Sequence, residues 1–167
     1  MSGFPDHWER IWSPYRKEYN EQLAQGGMEC PFCAIPSGTD EDSLILARGA
    51  STYVVLNRYP YNPGHLLICT FRHVGEYLEL ADEELSEIAA FTKASIQALR
   101  GVSSDVNFNI GINQGRIAGA GIPGHFHQHI VPRWQGDSNF MPVIGGTKVL
   151  SQMLAETREI LVRLWPK

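Results

Sequence analysis

His125-Phe126-His127-Gln128-His129-Ile130-Val131 is the stretch on which the reading of this chain turns. On an extended strand residues i, i+2 and i+4 share a face, so three imidazoles line one side of it. A face packed into a core would not carry three polar rings in a row. At about 3.3 Å rise per residue the outer two α-carbons stand roughly 13 Å apart. That span is too wide for three rings to close on one ion when Zn–N bonds are about 2.0–2.1 Å. The division expected is one end histidine facing a metal and two facing a reacting group. Imidazole suits the second task as a nucleophile or acid–base near neutral pH.

Working outward, the segment before this strand is Gly115-Arg116-Ile117-Ala118-Gly119-Ala120-Gly121-Ile122-Pro123-Gly124. Its glycines let backbone N–H groups approach an anion without interference from a Cβ. It lacks the Gly-Lys-Ser/Thr ending of an ATPase loop. It reads as a hairpin loop between strands at 106–113 and 125–133, opening beside the histidines. Earlier, 43–47 and 53–57 read as a hairpin around Arg48-Gly49-Ala50-Ser51, and 65–71 as a strand set up by Asn62-Pro63-Gly64. Leu85, Ile88, Ala89, Ile96 and Leu99 recur at helical spacing over 82–100, with Asp82 as expected N-cap. Over 147–165 a second helix is expected, with Val149, Leu150, Met153, Leu154, Ile160, Leu161 and Leu164 on its apolar stripe. Hairpins around one long helix predict an α+β fold: an antiparallel meander sheet, the central helix on one face, and a C-terminal helix. Repeated strand–helix alternation, which a parallel sheet needs, is absent.

The 167 residues suit one domain, and 43% hydrophobic with 19% charged residues is ordinary globular usage. No apolar run is long enough for a transmembrane helix, and Met1–Asp6 leads into no secretory h-region, so a cytoplasmic protein is expected. A net charge of −4 argues against a broad nucleic-acid groove. A phosphate-bearing partner therefore needs a local site. Of three cysteines, two form Cys30-Pro31-Phe32-Cys33, which suits half a metal site, a redox pair or unbonded thiols. Pro36 and Gly38 oppose the long helix that a thioredoxin-like redox motif opens. Cys69, beside Leu66-Leu67-Ile68, reads as a small buried hydrophobe. The chain divides as an N-terminal arm (1–29) with exposed aromatics, a domain at 30–140, and a helical extension at 141–167.

The histidine stretch, followed by Pro132-Arg133-Trp134, resembles the histidine triad (HIT) family. So does Asn57-Arg58-Tyr59-Pro60-Tyr61-Asn62-Pro63-Gly64-His65, which looks like that family's nucleoside-binding strand and turn. Trp12-Ser13-Pro14 and the stretches 136–140 and 145–149 are similar to members that phosphorolyse diadenosine tetraphosphate. The resemblance implies cleavage of dinucleoside polyphosphates through a covalent nucleotidyl-histidine at His127. Within the enzyme class it leaves open plain hydrolysis, phosphoramidate hydrolysis and nucleotide-sugar transfer; outside it, a nucleotide-binding scaffold. It further implies that His129 and His65 contact phosphate and orient the nucleophile, and that Asn57 meets the ribose. Asn113 or its neighbour Gln114, with the backbone of Gly119 and Gly121, would lie along the phosphates. Cys30, Cys33, His73 and His125 resemble the ligands of a structural zinc, and the family typically forms homodimers. Gln128 stands where the signature has an apolar residue, so either a less buried face or local hydrogen bonding is expected there.

Overall fold

The computed structural model describes residues 30–137 and 152–167. The N-terminal arm, the stretch 138–151 and the start expected for the last helix lie outside the described residues. Five strands form a single antiparallel sheet: β1 (Ile45–Arg48), β2 (Thr52–Leu56), β3 (Leu66–Thr70), β4 (Asn107–Ile112) and β5 (His127–Arg133). Their order is β1-β2-β3-β5-β4. The first three follow one another as a meander. The chain then crosses through the long helix to the far edge as β4, and the glycine loop returns it inward as β5. The histidine strand is thus central, paired on both sides.

Register decides which side chains share a face. Tyr53, Cys69 and His127 form one cross-strand row, and Val55, Leu67, His129 and Gly111 form the next on the same face. The alternate row Val54, Ile68, Gln128 and Ile112 faces the other way. Every residue of β2 and β3 is buried, as expected of strands covered on both faces.

Among the helices, α1 (Pro31–Ala34) is a single turn, α2 (Asp82–Val102) crosses β2, β3 and β5, and α3 (Leu154–Arg163) packs on β1 and α2. On α2 the buried face carries Ile88, Ala98 and Leu99. Gln128 reaches that helix: its Nε2 donates to Thr92 Oγ1 at 2.7 Å, and Thr92 Oγ1 donates to the Ile88 carbonyl at 2.7 Å. The polar departure from the signature is a bolt between the histidine strand and the helix behind it.

Three expectations change. Asp82 is the first residue of α2 and Ala81 is the N-cap, because the Glu84 carboxylate reaches back to accept the Ala81 amide at 2.9 Å. The same carboxylate takes Arg72 Nη2 at 2.8 Å. Met153 precedes α3 and is 71% exposed, and Leu164 follows it, so neither belongs to a buried stripe; Leu161 and Arg158 do the packing. Arg158 Nε donates to the Ile45 carbonyl at 2.7 Å. Finally, the alternation of Val, Phe and Ile with polar residues over 106–113 predicts a half-buried strand, and β4 is more exposed than that, with Ile110 at 44%. The cause is its place at the sheet edge, beyond the strands that α2 covers.

Glu87 closes the β1–β2 turn. Its carboxylate accepts the amides of Ala50 (2.7 Å), Ser51 (2.9 Å) and Thr52 (2.6 Å) and the Thr52 hydroxyl (2.7 Å). A Cβ on Gly49 would run into that carboxylate. Burial pushes the Glu87 carboxyl up, but the Thr52 hydroxyl and the three amides outweigh it and hold it below the usual carboxylate value. A depressed folded-state value means stability that is present above the unfolded value of about 4.3 and lost as pH falls through the folded one. Glu87→Gln should therefore cost about 1–3 kcal/mol at pH 7 in urea unfolding, and its gap from the parent should shrink as both are titrated below about pH 4.

Candidate active site and metal cluster

Two clusters flank His125, one on each side of the histidine strand's entry. His125 is 1% exposed and lies just before β5. Its Nε2–H donates to the Thr70 carbonyl at 2.8 Å. A carbonyl only accepts, so the Nδ1 of the neutral ring carries the lone pair. That nitrogen stands 3.4 Å from Cys30 Sγ and 3.4 Å from Cys33 Sγ, while Cys33 Sγ lies 3.3 Å from His73 Nδ1. The four donor atoms all fall within 4.8 Å of one another. An ideal tetrahedral ion with Zn–S of about 2.3 Å and Zn–N of about 2.0 Å separates sulfur and nitrogen by roughly 3.5 Å. The donor set, the spacing and the carbonyl behind the buried imidazole all fit such an ion. Burial, foremost, pushes the His125 imidazole down, which favours the neutral form that a metal ligand needs.

The local sequence explains the approach. Pro31 opens α1, and the Cys33 and Ala34 amides both turn back to the Cys30 carbonyl, which brings the two thiols to one side. Tyr53 donates its hydroxyl to the Phe32 carbonyl at 2.7 Å and anchors the turn to the sheet. On the other side, the Phe126 amide meets the Val74 carbonyl, and a Cβ on Gly75 would strike the Pro123 carbonyl, so His73 can approach only along a bare backbone.

The second cluster starts at His127, 6% exposed. Its Nδ1–H donates to the His125 carbonyl at 2.8 Å, which places the lone pair on Nε2. Phe32 packs on this ring at 4.8 Å between centroids. His129, 8% exposed, meets His127 edge-on at 5.1 Å. His65, fully buried at the end of the 57–65 turn, places Nε2 at 3.0 Å from His129 Nδ1. Asn57 Nδ2 stands 3.3 Å from His65 Nδ1, so Asn57, His65, His129 and His127 are brought together. Gln114 is not among them. Its side chain accepts the Tyr77 amide at 3.1 Å and donates to Glu76 at 2.6 Å. Asn113 follows β4, and Gly119, at φ +89°, and Gly121 lie on the loop between β4 and β5.

Residues of the turn that sequence reasoning passed over hold it in place. Tyr61 stacks on His129 at 5.6 Å and 12° and tilts over His65 at 4.7 Å. Asn62, read only as a turn residue, is 4% exposed and donates to the Pro132 carbonyl (2.8 Å) and to Asp137 (2.6 Å). Asp137 also accepts Arg133 Nε at 2.7 Å, and Trp134 Nε1 donates to the Pro63 carbonyl at 2.9 Å. The turn is therefore tied to the end of β5, on which His127 and His129 stand. Only the paired occurrence of Asn62-Pro63-Gly64 and Pro132-Arg133-Trp134 could have hinted at this.

Comparison with known proteins agrees with this arrangement. Residues 39–136 match the HIT domain family. The chain is 42% identical to the AP-4-A phosphorylase of Mycobacterium tuberculosis over 99% of its length and 88% of that protein's. It is 33% identical to the bis(5'-nucleosyl)-tetraphosphatase [asymmetrical] of Schizosaccharomyces pombe, over 64% of this chain and 56% of the other. A Zn-bound histidine triad family protein from Mycobacterium smegmatis superposes with a TM-score of 0.65 at 26% identity, covering 83% of this chain and 94% of that one.

Removing the Asn62 amide takes away the buried donor that ties the Pro132 carbonyl to the Asp137 carboxylate. Asn62→Ala should lower stability by about 1–3 kcal/mol, read as a fall in the urea midpoint with an unchanged slope. With the family match covering more than half of its residues and a relative aligned along nearly all of it, this chain belongs to the HIT domain family.

Proposed function

We propose that the protein cleaves dinucleoside polyphosphates through a nucleotidyl-His127 intermediate, and that its reaction is the phosphorolysis of diadenosine tetraphosphate to ADP and ATP. The observation that carries this reading is the His127 Nδ1–H bond to the His125 carbonyl, which turns an Nε2 lone pair toward the face shared with His129. The 42% identical relative named AP-4-A phosphorylase supports the substrate. His127 Nε2 attacks the α-phosphorus, the bond to the leaving ATP breaks, and an adenylyl-histidine remains. An oxygen of inorganic phosphate then attacks the same phosphorus, releasing ADP and restoring the imidazole. His129 contacts the phosphoryl oxygens and His65 orients it; Asn57 meets the nucleoside. The backbone of Gly119 and Gly121, with Asn113, lines the phosphates. Gln114 holds that loop against Glu76 and Tyr77.

Cys30, Cys33, His73 and His125 would hold zinc, in keeping with the Zn-bound neighbour. With all four positions filled by protein, the ion is structural and fixes the 30–33 turn against the strand bearing the nucleophile. Among the described residues no helix is long and apolar enough to cross a membrane. We read the protein as a cytoplasmic homodimer, with the exposed β4 edge and Ile110 available to extend the sheet into a second copy.

Incubation with diadenosine tetraphosphate should yield ADP and ATP only when inorganic phosphate is present; AMP and ATP without it would mean hydrolysis instead. His127→Ala should abolish turnover while changing nucleotide affinity by less than about tenfold, or 1.4 kcal/mol. Cys33→Ser should reduce the zinc found by metal analysis and lower the thermal midpoint, with activity at low temperature falling only as the folded fraction falls.

A further inference from the structure

We propose that Cys30 and Cys33 form a reversible oxidation site: a hydroperoxide converts the two thiolates to a disulfide, which gives up the bound ion and unseats His127. This rests on the reading of the cluster as a metal site, and it adds a chemistry that the nucleotide reaction does not use.

The motif Cys30-Pro31-Phe32-Cys33 sets two thiols three residues apart across the single turn of α1. Both are half-buried, and Cys33 Sγ lies 3.3 Å from Nδ1 of His73, an exposed residue. A small oxidant can therefore reach Cys33 from the side on which His73 stands. Metal ligation and the Cys-x-x-Cys arrangement both favour the thiolate, the form that attacks a peroxide. Cys69 offers no such route: it is 0% exposed, and burial pushes its thiol far above the ordinary value. Oxidation is thereby directed to one pair among the three cysteines.

The step balances with one hydroperoxide. Cys33 Sγ attacks the outer oxygen, the O–O bond breaks, and hydroxide or an alkoxide leaves, giving a sulfenic acid. Cys30 Sγ then attacks that sulfur, the S–O bond breaks, and hydroxide leaves. Two electrons pass from the sulfurs to the peroxide. The disulfide offers a cation no anionic ligand, so His73 and His125 are left of the four-donor set.

The disulfide acts on the neighbouring site through Phe32. Side chains three apart on a helix hold their Cβ atoms about 5–6 Å apart. A disulfide needs about 3.5–4.5 Å, so the turn must tighten by about 1 Å. Phe32 lies between the two cysteines and packs on His125 at 5.5 Å and on His127 at 4.8 Å. His125 meanwhile loses two thiolates that stand 3.4 Å from its Nδ1, and its carbonyl is the acceptor of the His127 Nδ1–H. Oxidation thus reaches His127 by two routes, the Phe32 ring and the His125 backbone.

The test treats the zinc-loaded full chain, with 15N-labelled histidine, with stoichiometric hydrogen peroxide and then with dithiothreitol plus zinc. Zinc release is followed with a colorimetric chelator, and the cysteines are mapped by mass spectrometry after alkylation. Zinc should leave as a Cys30–Cys33 bond forms, and the His127 ring signals should shift. Turnover of diadenosine tetraphosphate should fall about tenfold or more, the scale of a small misplacement of a reacting group. Dithiothreitol with zinc should reverse all of this, and Cys69→Ala should respond as the parent does. Zinc retained under peroxide, a disulfide that leaves the His127 signals unmoved, or loss of the response in Cys69→Ala would overturn the proposal. A chain that takes up no zinc would remove the metal reading, and the proposal with it. If the reduced, zinc-loaded chain turns over no dinucleotide, the functional reading alone fails, and zinc release with the His127 signals still decides the switch.

Discussion

His125 holds two chemistries in register. Its ring turns Nδ1 toward two thiols and gives Nε2–H to the Thr70 carbonyl, while its own carbonyl takes the Nδ1–H of His127. One residue thus sets the geometry of the cysteine–histidine cluster through its side chain and the tautomer of the His127 ring through its backbone. A shift of this residue by a fraction of an ångström would be felt on both sides of the strand, because hydrogen bonds weaken steeply with angle and distance.

Around that residue, the sheet divides labour by parity. Odd-numbered positions of β3 and β5 bring Leu67, Cys69, His127 and His129 to one face, and even-numbered positions bring Ile68 and Gln128 to the other. The second face is closed by α2, where Gln128 and Thr92 hydrogen-bond across the layer. A strand held from behind by a helix and on both edges by neighbours gives side chains on its front little room to drift. That rigidity is what a displacement at phosphorus needs, since its rate depends on placement more than on any covalent help from the protein. The acidic net charge is compatible with the anionic substrate proposed, because its recognition would fall to a few donors in a buried place.

The turn carrying Tyr61 and Asn62 shows how a loop can be as fixed as a strand. Asn62 and Asp137 are tied together with Arg133 and Trp134, so the turn moves only with the end of β5. Its amide can then serve as a permanent donor to His65. Buried polar groups satisfied in this way specify one arrangement more sharply than apolar contacts do.

Strand alternation was enough, from residues alone, to put His127 and His129 on one face, while His125 lies before β5 and its place beside the two thiols was set by the fold. Helical periodicity likewise placed α2 to within two residues, since local patterns dictate local structure. The N-cap was misplaced because Glu84 serves both Ala81 and Arg72, a contact that depends on where residue 72 ends up. The exposure of β4 was hidden for a similar reason: alternation reports which residues share a face, and only the strand order reveals whether anything covers it. The meetings of His65 with His129, and of Asn62 with Asp137, were settled by the tertiary structure alone. They join residues 64 and 75 positions apart, and no local preference encodes a hydrogen bond whose partner arrives from the far side of the chain.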